Sequence, residues 1–283
     1  MYRWTRLSSQ KWEDAWNERL LFIGPERLAM TTWPGSKALK IEVFCDRKTA
    51  ARLVKRFGGR AGRVDDRLLT GQPATPRAPL AIRGKLRIHS DETRWKEDPS
   101  PGALWIPAGM AFGTGDHATT ATCLRLLCDL VPELESGWRA IDAGTGSGIL
   151  AIAAERLGAA AVEAFDFDPA CVRISKANAR ANRCRKIAFS LADARAIGRF
   201  PRASVILANL FSELLVASAP GFARKLPSGG WLIFSGVLNS QAAEVVAGLE
   251  AAGFEPPRIV PRGKWCAGIA RRKCLLTPRK VHR

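Results

Sequence analysis

Two hydrophobic periodicities alternate along the first 70 residues of the chain. Apolar residues recur at helical spacing in Gln10–Phe22, whereas they occupy every second position in Ala38–Cys45, as in a half-buried strand. Asp46 precedes a second helical segment, Lys48–Phe57, which a pair of glycines ends. Further strands are predicted at Tyr2–Leu7, Leu28–Trp33 and Gly62–Leu69. The resulting order, βαββαβ, is typical of a small ferredoxin-like α+β domain.

From about Lys85 onward, the pattern changes to a repetition of strand, turn and helix. Strands are predicted at Trp138–Ala143, Ala161–Phe165, Ile187–Leu191, Val205–Ala208 and Trp231–Ser235. Helices are predicted at Ile149–Leu157, Pro169–Asn182, Ser212–Lys225 and Ser240–Ala252, and a final hairpin at Phe254–Val260 and Trp265–Arg271. Such repetition predicts an α/β domain whose open parallel sheet is covered by helices on both faces.

The composition is that of a globular protein, with 47% hydrophobic and 25% charged residues in a chain of 283. We expect a small basic domain at residues 1–70, a linker and first strand at residues 71–98, and a larger domain at residues 99–283. Apolar runs are too short for a membrane-spanning helix, and the N-terminal segment contains no apolar signal core. We therefore expect a cytoplasmic protein without a membrane partner.

Cysteine and histidine provide no recognisable metal site. The seven cysteines include no C-x-x-C pair, and the three histidines are far apart in the sequence. Zinc sites and disulfide scaffolds need tighter grouping, so we expect no metal and interpret the cysteines as buried small side chains and surface thiols.

The net charge of +18 is concentrated at the two ends of the chain, because residues 1–70 carry +7 and residues 251–283 carry +8. Basic surfaces of this kind bind the phosphate backbone of nucleic acids, so contact with RNA is one interpretation. A solvated, arginine-rich surface without such a partner is the other.

A glycine-rich turn stands where α/β sheets bind nucleotides. Gly144, Gly146 and Gly148 lie between a predicted strand and a predicted helix. Glycine permits positive φ there and lets the backbone approach a ligand closely. The dinucleotide fingerprint G-x-G-x-x-G would need a third glycine where this chain has Ile149, which disfavours a hydride-transferring enzyme.

Three aspartates follow the next two strands of the predicted sheet. Asp166 lies 22 residues after Gly144 at a strand end, where a carboxylate can accept hydrogen bonds from ribose hydroxyls. Asp168 precedes Pro169 and is interpreted as a helix N-cap. Asp193 is placed either to reach an adenine edge or to cap the turn that follows it.

Together, these features resemble the class I S-adenosylmethionine-dependent methyltransferases and, among them, the ribosomal protein L11 methyltransferase family. The similarity rests on the loop at residues 109–120, the glycine turn at 141–150 and the acidic strand end at 165–169. It extends to Ala-Asn-Leu at 208–210, Gly-Val-Leu-Asn-Ser-Gln at 236–241 and Gly-Lys-Trp at 263–265. It covers residues 104–272, whereas the first 70 residues match mainly in size and element order.

The resemblance implies a Rossmann-like methyltransferase sheet that binds S-adenosylmethionine. It implies that residues 99–283 form the methyltransferase domain and that the small basic domain at residues 1–70 recognises the substrate. It implies that Thr120 and Asn209 contact this cofactor, and that the loop around Phe112 and Thr114 folds over its methionine end. The predicted cofactor-binding residues are Phe112, Thr114, Thr120, Gly144, Gly146, Asp166, Asp193 and Asn209.

The activity implied by the resemblance is N-methylation of lysine ε-amines in ribosomal protein L11, with an N-terminal α-amine as a further candidate. At pH 7, removing the proton costs about 4.6 kcal/mol for a lysine but only about 1 kcal/mol for an α-amine. Asn209 is the predicted catalytic residue, because its amide oxygen can accept a hydrogen bond from the amine. The alternative for Asn209 is a turn or N-cap role, and His117 is interpreted as a structural loop residue.

Two other functions fit the same residues. One is methylation of lysines in another protein, and the other is an RNA-binding module that keeps the methyltransferase fold without catalysis. The second predicts no cofactor binding and a steep salt dependence of RNA binding. A nucleobase target is disfavoured, because Asn209-Leu210-Phe211 lacks the prolines that base methyltransferases have after this asparagine. Ribosomal RNA stays a candidate partner of the basic ends.

Overall fold

The computed structural model of the chain describes residues 2–20, 23, 27–32, 36–63, 78–107 and 118–274. The chain divides into two compact units, Met1–Pro73 and Ala74–Arg283. Within the described ranges, every helix is too short or too polar to cross a bilayer.

In its described residues, the first unit contains a four-stranded antiparallel sheet and two α-helices. Its strands are β1 (Tyr2–Ser9), β2 (Leu28–Thr32), β3 (Ala38–Cys45) and β4 (Arg60–Arg63), and its helices are α1 (Glu13–Arg19) and α2 (Arg47–Phe57). The strand order is β2-β3-β1-β4, and every neighbouring pair is antiparallel. This order confirms the ferredoxin-like prediction.

The hydrophobic core of the first unit contains every second residue of β3, as the alternation of apolar and polar residues predicts. Leu39, Ile41 and Val43 are fully buried against the helices, together with Trp4 of β1. The Asp46 side chain caps α2 by accepting a hydrogen bond from the Thr49 amide at 2.9 Å.

Several boundaries of the first unit differ from the predictions, and two of the differences are small: β1 extends to Ser9 and α2 begins at Arg47. The predicted helix Gln10–Phe22 begins as a 3₁₀ turn at Gln10–Trp12 and is α-helical only over Glu13–Arg19. The strand predicted at Gly62–Leu69 begins earlier, at Arg60, and its residues beyond Arg63 lie outside the described ranges.

The second unit is built around a seven-stranded sheet. Its strands are β8 (Arg139–Ala143), β9 (Ala161–Asp166), β10 (Ile187–Leu191), β11 (Val205–Asn209), β12 (Trp231–Leu238), β13 (Arg258–Arg262) and β14 (Trp265–Arg271). The order is β10-β9-β8-β11-β12-β14-β13, with β14 antiparallel to both β12 and β13 and the other pairs parallel. A mostly parallel α/β sheet is therefore confirmed.

Helices cover both faces of this sheet, as predicted. They are α4 (Ala118–Leu130), α5 (Ile149–Arg156), α6 (Pro169–Ala181), α7 (Ser212–Lys225) and α8 (Ala242–Ala251). The residues of α4, α5 and α6 belong to one hydrophobic core, and those of α7 and α8 to another. Successive residues of β8, Ala140 and Ile141, are buried in different cores, because neighbouring side chains of a strand point to opposite faces.

Of a second, smaller sheet of this unit, only one strand within residues 71–98 was predicted. Three short strands, β5 (Leu80–Ile82), β6 (Leu86–His89) and β7 (Ala103–Trp105), form it, with helix α3 (Glu92–Lys96) between β6 and β7. Strands of three or four residues carry too little periodicity to be recognised in a sequence.

The predicted strand at Phe254–Val260 was wrong in its first half. β13 begins at Arg258, because Pro256 and Pro257 lack the amide hydrogen that a sheet ladder needs. Phe254 instead forms an isolated bridge with Arg272.

Candidate functional site

A cleft of about 520 Å³ opens where β8, β9 and β11 end. The strand order changes direction between β8 and β11, and open α/β sheets bind ligands at such switch points. Six of the predicted site residues line this cleft: Thr120, Gly144, Gly146, Asp166, Asp193 and Asn209. Phe112, Thr114 and His117 lie outside the described residues.

The glycine turn after β8 is fixed by the neighbouring strand. The amides of Gly144 and Thr145 both donate to the Phe165 carbonyl at 2.9 Å. Gly144 has φ of +73°, and a Cβ built there would lie 2.5 Å from Cδ2 of Leu210. Only glycine satisfies both the conformation and the space at this position.

Asp166 connects the end of β9 to the glycine turn. Its Oδ2 accepts a hydrogen bond from the Gly146 amide at 2.9 Å, and its Oδ1 accepts one from the Asp168 amide at 3.0 Å. Each carboxylate oxygen has two lone pairs, so both retain capacity for a ligand hydroxyl. The side chain is 6% exposed and faces the cleft.

The other two aspartates act as caps in this structure. Asp168 accepts a hydrogen bond from the Ala170 amide at 2.7 Å at the start of α6. Asp193 accepts one from the Arg195 amide at 2.8 Å, and Nε of Arg195 donates to both of its oxygens. The Arg195 hydrogen bonds lower the pKa of Asp193 to about 2. Asp193 nevertheless lines the cleft, so an additional ligand contact stays a prediction.

Asn209 is the last residue of β11, and two hydrogen bonds hold its side-chain amide. Its Nδ2 donates to Oγ1 of Thr120 at 3.2 Å and to Oγ1 of Thr119 at 3.4 Å, both at the start of α4. Its Oδ1 is buried and has no partner among the described residues. Because a buried carbonyl oxygen without a hydrogen bond is unfavourable, this atom is suited to accept a donor from a ligand.

Leu210 is a site residue that the sequence analysis missed. Its side chain fills the space beside Gly144, and its main chain lies against Gly236 of β12, where a Cβ would be 2.4 Å from the Leu210 carbonyl oxygen. Gly236 has φ of +85° and lies at a register irregularity of β12. The Asn209-Leu210 segment is thus held between the glycine turn and β12.

Asp142 is the second missed residue. It is fully buried beneath the glycine turn, and its Oδ2 accepts hydrogen bonds from Thr145 Oγ1 at 2.7 Å and the Ala151 amide at 3.1 Å. Burial raises the pKa of Asp142 to about 7, although these two hydrogen bonds lower it. In the sequence, a buried carboxylate that supports the glycine turn is indicated by an acid near the end of an apolar strand, two residues before the first glycine.

Asp142 should make stability depend on pH. Because its pKa is higher in the folded state than the ordinary value of 3.8, the folded state binds more protons between about pH 4 and pH 7. The free energy of unfolding should therefore decrease as the pH rises through this window. Asp142→Asn should weaken this dependence, as measured by urea unfolding at pH 5, 6, 7 and 8. An unchanged pH dependence in the variant would contradict the assignment.

Comparison with known proteins adds independent information. A family model described as ribosomal protein L11 methyltransferase (PrmA) matches residues 77–273 of the chain. A ribosomal protein L11 methyltransferase of Pelotomaculum thermopropionicum is 42% identical over 199 residues, which are 69% of this chain and 62% of that protein. One from Chloroflexus aurantiacus is 38% identical over 202 residues, which are 63% of this chain and 61% of that protein. The chain thus spans less than two thirds of the length of these relatives.

A solved structure is also similar. The crystal structure of a ribosomal protein L11 methylase from Lactobacillus delbrueckii subsp. bulgaricus matches with a TM-score of 0.60 and 27% sequence identity. The match covers 70% of this chain and 100% of that chain.

Proposed function

Because the chain belongs to the ribosomal protein L11 methyltransferase family, we propose that it transfers methyl groups from S-adenosylmethionine to lysine ε-amines of ribosomal protein L11. The N-terminal α-amine of the same protein is a second proposed acceptor. The observation that carries the proposal is the buried Oδ1 of Asn209, which has no hydrogen-bond partner among the described residues and belongs to the same cleft as the glycine turn and Asp166. We also propose that the reaction takes place in the cytoplasm.

The residues of the cleft fit S-adenosylmethionine. Asp166 offers lone pairs to ribose hydroxyls, and apolar groups such as Phe165 and Ala192 line the same part of the cleft for a purine. Gly144 and Gly146 leave the backbone accessible beside them. The bound cofactor supplies an electrophilic methyl group on a positively charged sulfonium.

The residues of the cleft have to favour the neutral form of the acceptor amine and orient its lone pair. A lysine reacts only without its extra proton, and desolvation lowers the pKa of an amine. Phe211, Leu214 and Trp265 provide apolar lining for this purpose. Oδ1 of Asn209 would accept one N–H of the neutral amine and so fix the direction of its lone pair. The hydrogen bond from Asn209 to Thr120 keeps Oδ1, rather than Nδ2, available for the acceptor amine.

The test is methylation of purified ribosomal protein L11 with isotopically labelled S-adenosylmethionine, followed by mass spectrometry. Label on lysine ε-amines of this protein is the expected result. Adding a whole-cell extract identifies competing substrates: label on a different protein would support the alternative lysine target, and label on RNA alone would overturn the protein substrate. Absence of heat on titration with the cofactor would favour the non-catalytic RNA-binding alternative.

Asp166→Ala should weaken cofactor binding without abolishing folding. Hydrogen bonds to charged groups contribute about 1.5–3 kcal/mol, so the dissociation constant should rise about 10- to 150-fold in isothermal titration calorimetry. Asp168→Ala is the matched control, because it removes a carboxylate of the same loop that caps α6 instead. Equal losses in both variants would mean that loop order, and not a ribose contact, determines the affinity.

We also propose that the small N-terminal domain recognises the substrate. Residues 1–70 carry a net charge of +7. We assign to the basic ends of the chain a contact with ribosomal RNA, since a basic surface attracts a phosphate backbone.

A further inference from the structure

Helix α2 has an unusual charge pattern. All five of its charged residues are basic and exposed, and it contains no acidic residue: Arg47, Lys48, Arg52, Lys55 and Arg56. Among the described residues, none of these five forms an ion pair, although Arg56 lies over the Phe57 ring. The positive charges are therefore not neutralised within the described part of the first unit.

The cations at the start of this helix oppose its stability, whereas Lys55 and Arg56 lie in the last turn, where cations are favourable. Arg47 and Lys48 lie in the first turn, at the positive end of the helix dipole, where acidic residues are favourable. Lys48 and Arg52 are four residues apart, as are Arg52 and Arg56, and like charges at this spacing repel each other. A charge arrangement that is unfavourable in the isolated protein is explained if a polyanion neutralises it.

Some other surface cations of the chain are paired: Lys96 with Glu92 at helical spacing, Arg83 with Asp129, and Lys40 with Glu42 on the sheet of the same unit. Helix α6 also has three exposed cations, Arg173, Lys176 and Arg180, without an ion pair among the described residues. The features that distinguish α2 are therefore its five cations in 11 residues and the two cations in its first turn.

Helix α2 is also held rigidly. Ala50 and Leu53 are each 1% exposed in the core of the first unit, and the Asp46 side chain caps the helix. Lys48, Arg52 and Lys55 follow one another at intervals of four and three residues, so they share one face over about 10 Å of helix. A rigid row of cations matches the closely spaced charges of a nucleic-acid backbone.

We propose that the outer face of α2, formed by Lys48, Arg52 and Lys55, binds the phosphate backbone of RNA. The inference rests on the proposed contact with ribosomal RNA and names the surface that makes it; it does not depend on methyl transfer. An RNA partner is favoured because a basic surface attracts a polyanion and gives no electrostatic steering to a basic protein. The arginine guanidinium additionally suits bidentate phosphate contacts.

The test compares three variants of the full chain that each remove three positive charges. The first is Lys48→Gln/Arg52→Gln/Lys55→Gln on α2. The second is Arg173→Gln/Lys176→Gln/Arg180→Gln, three exposed cations of α6. The third lacks residues 275–283, which contain Arg279, Lys280 and Arg283. Binding to purified ribosomal RNA is measured by fluorescence anisotropy from 50 to 300 mM salt.

The α2 variant should bind RNA more weakly, with a salt dependence of log K that is less steep by about 2, because each lost phosphate contact removes about 0.7–0.9. The other two variants should change the slope by less. A charge-conserving variant, Lys48→Arg/Arg52→Lys/Lys55→Arg, should retain the wild-type slope, which separates loss of charge from misfolding.

Equal changes in all three variants would overturn the proposal, since binding would then follow total charge. Tighter binding to phosphatidylserine vesicles than to RNA would also overturn it. If the wild-type chain binds no RNA while it methylates its protein substrate, both the RNA contact and this surface are wrong and the methyltransferase proposal stands. If RNA binding persists without methyl transfer, only the enzymatic proposal fails.

Discussion

Asn209→Ala is expected to reduce the turnover number for methyl transfer by about 10- to 100-fold, because it removes the only contact proposed to orient the acceptor amine. The loss should appear mainly in kcat. Cofactor affinity should fall less, since the glycine turn and Asp166 are unchanged. The measurements are steady-state methylation of ribosomal protein L11 and calorimetric titration with S-adenosylmethionine.

Two controls make this prediction specific. Asn239→Ala removes an exposed asparagine that donates to the Gly263 carbonyl at 2.8 Å, and it should leave turnover unchanged. Thr120→Val keeps the shape of the side chain but removes the hydroxyl that accepts from Asn209 Nδ2. It should lower kcat in the same direction, because the amide can then rotate. A loss of cofactor affinity without a loss of kcat in Thr120→Val would instead support the cofactor contact that the family resemblance implies.

Gly236→Ala should reduce both stability and turnover. Its Cβ would lie 2.4 Å from the carbonyl oxygen and 2.9 Å from the carbonyl carbon of Leu210, and its φ of +85° is unfavourable for alanine. Overpacking and positive φ together should lower the free energy of unfolding by about 2–5 kcal/mol. The thermal midpoint should fall by roughly 5–15 °C, as measured by scanning calorimetry.

A matched substitution separates the two causes. Gly253 has φ of +96° but open space where a Cβ would be, so Gly253→Ala should show the conformational cost alone, about 1–2 kcal/mol. Adding Leu210→Ala should not rescue Gly236→Ala, because the close atoms belong to the Leu210 main chain. Leu210→Ala should partly rescue Gly144→Ala, because the atom close to the new Cβ there is Leu210 Cδ2. Rescue of Gly236→Ala would show that the position of the Leu210 side chain, and not of its backbone, determines the defect.

Local patterns in the sequence predicted most of the fold. The alternation in Ala38–Cys45 gave β3 with the same limits, and the segments Ile187–Leu191 and Ser212–Lys225 also agree with the structure. These elements carry a strong period over enough residues. The errors lie where the period is short or interrupted, as in the three-stranded sheet of β5, β6 and β7 and before β13, where two prolines delay the strand.

The candidate site was predictable to the extent that strand ends determine it. Gly144 follows a parallel strand, and Asp166 and Asn209 end two others. Such strand ends meet at one edge of the sheet, so the convergence of these residues in the cleft agrees with the expectation. Asp168 also caps its helix as the Asp-Pro pair indicated. Asp193 caps the turn that follows it and also lines the cleft, so its contact with an adenine edge stays a prediction.

The sequence by itself determined the order of most strands and helices, the glycine-rich turn and the acid at the next strand end, because residues only a few positions apart govern these features. Only the tertiary structure revealed that Leu210 is packed against Gly144 and Gly236, that Thr120 orients the amide of Asn209 from 89 positions away, and that Asp142 is buried with a raised pKa. Distances, burial and free hydrogen-bonding capacity arise between segments that are remote in the chain. They depend on how the layers pack, which no local pattern specifies.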